Sequence, residues 1–127
     1  MRALALSLAL AALAPIAASA QTSSAPARQC FFSRDWRGWK AVDDKSMYIR
    51  IGLHDLYRVE FKNGCPGLTS PNAHLITQSR TGDNVCSALD LDIKVSDLQG
   101  FSTPCIATGL TKLSAAEAQA VPKRLQP

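Results

Sequence analysis

The stretch Met47-Tyr48-Ile49-Arg50-Ile51-Gly52-Leu53-His54-Asp55-Leu56-Tyr57-Arg58-Val59-Glu60-Phe61-Lys62 carries the clearest structural signal in the chain. Met47, Ile49 and Ile51 alternate with Tyr48 and Arg50; Tyr57, Val59 and Phe61 alternate with Arg58, Glu60 and Lys62. Successive strand side chains point to opposite faces, so each run reads as a half-buried strand with one apolar face. Gly52 to Asp55 interrupts the pattern, which places His54 and Asp55 in the short loop of an antiparallel hairpin. Asn63-Gly64 ends the second strand, because both residue types tolerate positive φ.

The same alternation recurs downstream. Ala73 to Gln78 reads as a moderate strand, Thr81 to Asn84 as a turn leading to Val85-Cys86, and Leu91, Ile93 and Val95 as the apolar face of another strand. Gln99-Gly100 turns the chain toward a last strand over Thr103–Thr108. Ser114 with Glu117 three residues on is a capping box for a short helix, Ala115 to Ala120, stopped by Pro122. Upstream, Ser33 to Asp44 reads as a compact irregular segment, and residues 121–127 as a proline-flanked tail. At least five short strands separated by turns give a mainly β chain: one small antiparallel barrel- or sandwich-like domain, residues 30–120, with a short C-terminal helix.

The first twenty residues form a cleavable export signal: Arg2 is the positive start, Ala3 to Ala14 the apolar core, and Ala18-Ser19-Ala20 the small-x-small cleavage pattern. The apolar core is too short for the roughly twenty residues of a spanning helix, and Pro15 interrupts it. No cysteine follows the cleavage point to take a lipid, so the expected product is periplasmic or secreted, without a stable membrane anchor. Residues 21–29, rich in Ser, Ala and Pro, read as a flexible leader. The chain's formal charge of +4 shrinks accordingly: Arg28 to Lys112 holds eleven basic and nine acidic residues, interspersed, with no basic stripe for nucleic acid.

Cys30, Cys65, Cys86 and Cys105 all follow the signal. Four cysteines in a small exported chain read as two disulfides. No two are close enough in sequence for the C-x-x-C spacing of a zinc site or a redox pair, so neither metal nor cofactor is expected. Sequence allows three pairings. The preferred one is nested, Cys65 with Cys86 around a turn-rich loop and Cys30 with Cys105.

Candidate site residues are few. Trp36, Arg37 and Trp39 form a basic-aromatic cluster of the type that stacks ligands. The three-residue spacing also puts both rings on one side of a helical turn, where tryptophans usually anchor a core. Asp43-Asp44 could bind a cation or act as an acid/base pair, but the turn reading is stronger. Asp90 and Asp92 share the polar face of a strand. The histidines are His54 and His74, and no nucleophile elbow, zinc-protease motif or phosphate loop accompanies them.

Cys30-Phe31-Phe32, Arg34-Asp35-Trp36-Arg37-Gly38-Trp39 and Ala41-Val42-Asp43-Asp44, with Met47-Tyr48-Ile49, Cys65, Cys86-Ser87-Ala88-Leu89-Asp90, Pro104-Cys105-Ile106 and Leu113-Ser114, resemble a known set. It is the family of small exported bacterial envelope proteins catalogued as a domain of unknown function. The resemblance covers Cys30 to Ala120 and implies export and a single domain, but no activity. Family members often carry a lipoprotein cysteine after the signal, and this chain does not. The expected function is a non-enzymatic binding or structural domain with an envelope or protein partner. The alternative is a small hydrolase or metal-dependent enzyme built from Asp43, Asp44, His54 or His74.

Overall fold

The hairpin at the centre of the sequence forms the spine of the domain. In the computed structural model, which describes residues 29–127, β3 (Ser46–Ile51) pairs antiparallel with β4 (Asp55–Phe61), from Ser46 opposite Glu60 to Ile51 opposite Asp55. The turn is Gly52 to His54, with Gly52 at φ 59°, so Asp55 opens the strand instead of lying in the loop. Asn63 and Gly64 take φ 59° and 83° and turn the chain out of β4 as expected. The expected signal and nearly all of the leader fall outside the described residues.

Among the described residues, nine strands lie in three antiparallel sheets. Besides β3 and β4 they are β1 (Phe31–Phe32), β2 (Trp36–Ala41), β5 (His74–Ser79), β6 (Asn84–Val85), β7 (Leu91–Ser96), β8 (Ser102–Cys105) and β9 (Ala107–Lys112). One sheet has the order β2-β3-β4-β9, another β5-β7-β8, and β1 pairs with β6 alone. The domain is thus mainly β with antiparallel sheets, but among the described residues the ladder does not close into a barrel. The helix α1 (Ala115–Ala120) has both halves of its capping box: Glu117 N–H donates to Ser114 Oγ, and Ser114 N–H to Glu117 Oε2 at 2.7 Å.

Two further stretches differ from their sequence reading. The last strand, expected over Thr103–Thr108, is two strands that serve different sheets. Cys105 and Ala107 both face the core, while Ile106 between them is 63% exposed and marks the corner where the chain leaves β7 for β4. The strand then continues to Lys112 through Gly109, which disguised it in sequence. The segment Ser33 to Asp44 is likewise regular: a 3-10 turn over Ser33–Asp35 leads into β2.

The core is drawn from the alternating faces the sequence marked. Met47, Ile49, Val59 and Ile93 are fully buried, with Tyr57, Phe61, Leu91 and Val95 beside them. Leu68, from the loop after β4, plugs one side. At roughly 25 cal/mol per Å² of apolar surface removed from water, these side chains supply most of the folding drive. The C-terminal segment lies on the outer face of the larger sheet. Arg50 Nε donates to the Pro127 backbone oxygen at 2.8 Å, and Leu113 N–H to the Leu56 carbonyl. Leu56 and Val121 are buried there, outside the main core.

The cysteine pairing is not nested. Cys30 bonds Cys86, and Cys65 bonds Cys105. The reason is topological. β1 pairs with β6, Phe31 opposite Val85, so Cys30 and Cys86 flank one ladder. Cys65 follows β4 into the core, where β8 delivers Cys105.

Candidate functional site

The two tryptophans share one side of their element, although that element is a strand. Regular strand geometry would send residues three apart to opposite faces. The register of β2 shifts between Trp36 and Gly38, so Trp36 stands opposite Ile51 and Trp39 opposite Ile49. A bulge at Arg37 adds the residue that brings both rings to the core side. Arg37 itself is exposed, and neither it nor Lys40 enters an ion pair among the described residues. The bulge had no sequence signature beyond Gly38 within an apolar-polar run.

Trp36 and Trp39 are only half-buried, and this has a pattern. The apolar core-side residues of β3, β4 and β7 from Met47 to Val95 are buried, whereas Trp36, Trp39 and Ala41 on β2, Leu75 on β5 and Leu110 on β9 are covered incompletely. β2 and β5 are the outer strands of their sheets. The two-residue β1–β6 ladder links them at one end, since β1 leads into β2 and β6 follows β5. Beyond that ladder they do not pair among the described residues, and the partly covered core-side residues of the two edges mark a seam between them. A cavity of about 430 Å³ lies at the seam's far end, lined by Trp39, Lys40, Ala41, Leu68, Pro71 and Ala73. Its walls are mixed: Trp39, Ala41, Leu68 and Pro71 give an apolar side, and Lys40, Thr69 and Ser70 give a polar one.

A second cleft, about 560 Å³, opens where the β3–β4 turn meets β1 and the end of β9, and gathers Phe31, Asp35, His54, Asp55, Tyr57 and Lys112. Lys112 Nζ donates to Asp55 Oδ2 at 2.7 Å, and Phe31 meets Tyr57 edge to face at 5.0 Å. Hydrogen bonding to Asp55 raises the Lys112 pKa, and burial raises that of Tyr57. Asp55 and Lys112 are thus paired with each other, while Asp35 enters no ion pair among the described residues.

The other sequence candidates do not converge. Asp43 Oδ1 accepts from Lys45 N–H at 2.9 Å and Ser46 Oγ at 3.0 Å, which holds the β2–β3 turn and lowers its pKa. Asp43 and Asp44 therefore sit at one end of β3, and His54 sits beyond the other. His74 opens β5 in the other sheet, opposite Ser96. Asp90 is not on the strand face expected of it. Its Oδ2 accepts from the N–H groups of Cys86 and Ser87 at 2.9 and 2.8 Å and caps a 3-10 turn. Among the described residues no three His, Cys, Asp or Glu side chains lie close enough to hold a metal ion.

A family model described as "Family of unknown function (DUF6491)" matches residues 1–126, nearly the whole chain. The chain belongs to this family. No curated protein and no solved structure matches it. For this DUF6491 protein, two disulfides fit an oxidising compartment outside the cytoplasm. No helix among the described residues is long and apolar enough to cross a membrane.

Proposed function

We propose that the protein is an exported, non-enzymatic binding domain, periplasmic or secreted, that receives an envelope partner at the β2–β5 seam. The observation that carries this reading is the incomplete cover over Trp36, Trp39 and Leu75 beside a cavity of about 430 Å³. Core-facing tryptophans that keep part of their surface in water beside an open cavity offer apolar contact to a partner, which supports an interaction site there. The signal pattern and the two disulfides support the export part. Nothing comparable supports the hydrolase alternative, whose four residues are dispersed over two sheets.

Site-specific photocrosslinking in the producing cell tests this. A photoreactive side chain at Leu75 should give a discrete adduct, whereas one at Leu53, exposed on the β3–β4 turn, should give none. Equal labelling at both positions rejects the seam.

A further inference from the structure

The three sheets leave several strand edges, and they are not treated alike. β2 carries the Arg37 bulge and Lys40, and β8 carries Pro104. Bulges, lysines and prolines are the devices that keep an edge from pairing with foreign strands. β5 has none of them. His74-Leu75-Ile76-Thr77-Gln78-Ser79 pairs with β7 in unbroken register, from His74 opposite Ser96 to Ser79 opposite Leu91. Ile76 is 42% exposed, and Thr77 is exposed although its cross-strand partner Ile93 is fully buried. The outward N–H and C=O groups of β5 meet no other strand among the described residues.

Resting on the seam reading above, we propose that the ligand is an extended peptide segment of another protein, bound as an added strand on the β5 edge. Backbone hydrogen bonds to β5 fix its extended form, and its alternate side chains face opposite ways. One set points into the seam toward Leu75 and Trp39 and is apolar. The other set points outward and is acidic. The charge follows from the surroundings: β2 and β5 contribute Arg37, Lys40 and His74 and no carboxylate, and Lys94 stands opposite Ile76, while the one carboxylate of the facing strand, Asp92 opposite Gln78, is taken up by Arg80. Arg37 and Lys40 enter no ion pair among the described residues. The same charges disfavour a second copy of the chain, which would bring cation against cation.

The test titrates the oxidised protein with short end-blocked peptides, read through the fluorescence of its two tryptophans. A peptide alternating valine and glutamate should bind at least about tenfold tighter than one alternating valine and lysine. N-methylation of alternate amides should abolish binding, because it removes the strand's donors. Lys40→Glu should narrow or reverse the charge preference, with circular dichroism showing the fold retained. Undiminished binding of the N-methylated peptide, equal affinity for both charge patterns, no binding of either peptide, or dimerisation through β5 in sedimentation each overturn the proposal. A crosslink at Leu75 combined with no peptide binding leaves the seam in place and removes the added strand alone.

Discussion

The Lys112 ammonium donates to the Asp55 carboxylate at 2.7 Å and thereby joins the last residue of β9 to the first of β4. The pair is partly solvated, with side-chain exposures of 31% and 45%, so its contribution is at most about 1 kcal/mol. Tyr57 lies beside it, with Lys112 Nζ 5.9 Å from the ring centre. The contact to Asp55 raises the Lys112 pKa and burial raises that of Tyr57. A group whose pKa rises on folding contributes fully below its unfolded value and loses that contribution as pH climbs through the folded one. On account of these two groups, stability should stay level through neutral pH and fall above about pH 10. Urea midpoints measured across that range check this. Tyr57→Phe should flatten part of the alkaline fall, and Lys112→Met should lower stability by about 0.5 kcal/mol at neutral pH.

The two disulfides should differ in access. Cys65 and Cys105 are buried in the core, while Cys30 is exposed and flanks the two-residue β1–β6 ladder. Thiol–disulfide exchange needs a thiolate to reach sulfur, so accessibility sets the order of reduction. Limited reduction, alkylation and peptide mapping should label Cys30 and Cys86 well before Cys65 and Cys105. Loop closure over 56 and 40 residues suggests about 4 kcal/mol from each bond. Double serine replacement of Cys65 and Cys105 should cost more than that of Cys30 and Cys86, because it also disturbs buried packing. A peptide joining Cys65 to Cys86 would contradict the observed connectivity.

What sequence reading recovers here is whatever a local period encodes. The β3–β4 hairpin, β7 and α1 are legible because alternation or a capping box marks each over a few residues. The disulfide pairing was not legible, because it depends on which distant strands meet, and β1 with β6 is a ladder too short to leave a pattern. The corner at Ile106 was lost for a related reason: an exposed apolar residue between Cys105 and Ala107 looks like ordinary alternation. Trp36 and Trp39 share one side because a bulge in a strand imitates helical spacing, a difference that the sequence does not mark. The seam is a property of two edges from different sheets, and neither edge alone announces it.

Gly109 is tightly placed against its cross-strand partner Glu60. A Cβ at position 109 would meet Glu60 Oε2 at 2.9 Å and Glu60 Cβ at 3.1 Å. The carboxylate can swing aside, giving up its 3.3 Å approach to Arg58, but Cβ cannot. Gly109→Ala should therefore destabilise by about 1 to 2 kcal/mol, as overpacking does. In a Glu60→Ala background the loss should shrink without vanishing, since the Cβ contact survives. Four urea curves close this cycle. Strict additivity would mean that the two side chains do not meet.

Trp39 serves both the core and the seam, so its replacement should separate stability from binding. Fully buried tryptophans lose about 3 to 5 kcal/mol on truncation to alanine. Trp36 and Trp39 are half-buried and packed against the core from one side only, so each should lose less, about 2 kcal/mol. Both variants should remain folded at neutral pH with the disulfides intact. Trp39 lines the seam cavity and Trp36 does not. Trp39→Ala should therefore abolish peptide binding, while Trp36→Ala should weaken it by a few-fold at most. Trp39→Phe keeps a flat apolar ring in place and should restore most of both properties. Calorimetric titration of each variant, set beside its urea midpoint, distinguishes these effects. Equal binding loss in the two alanine variants at equal stability would mean that the rings act only as core.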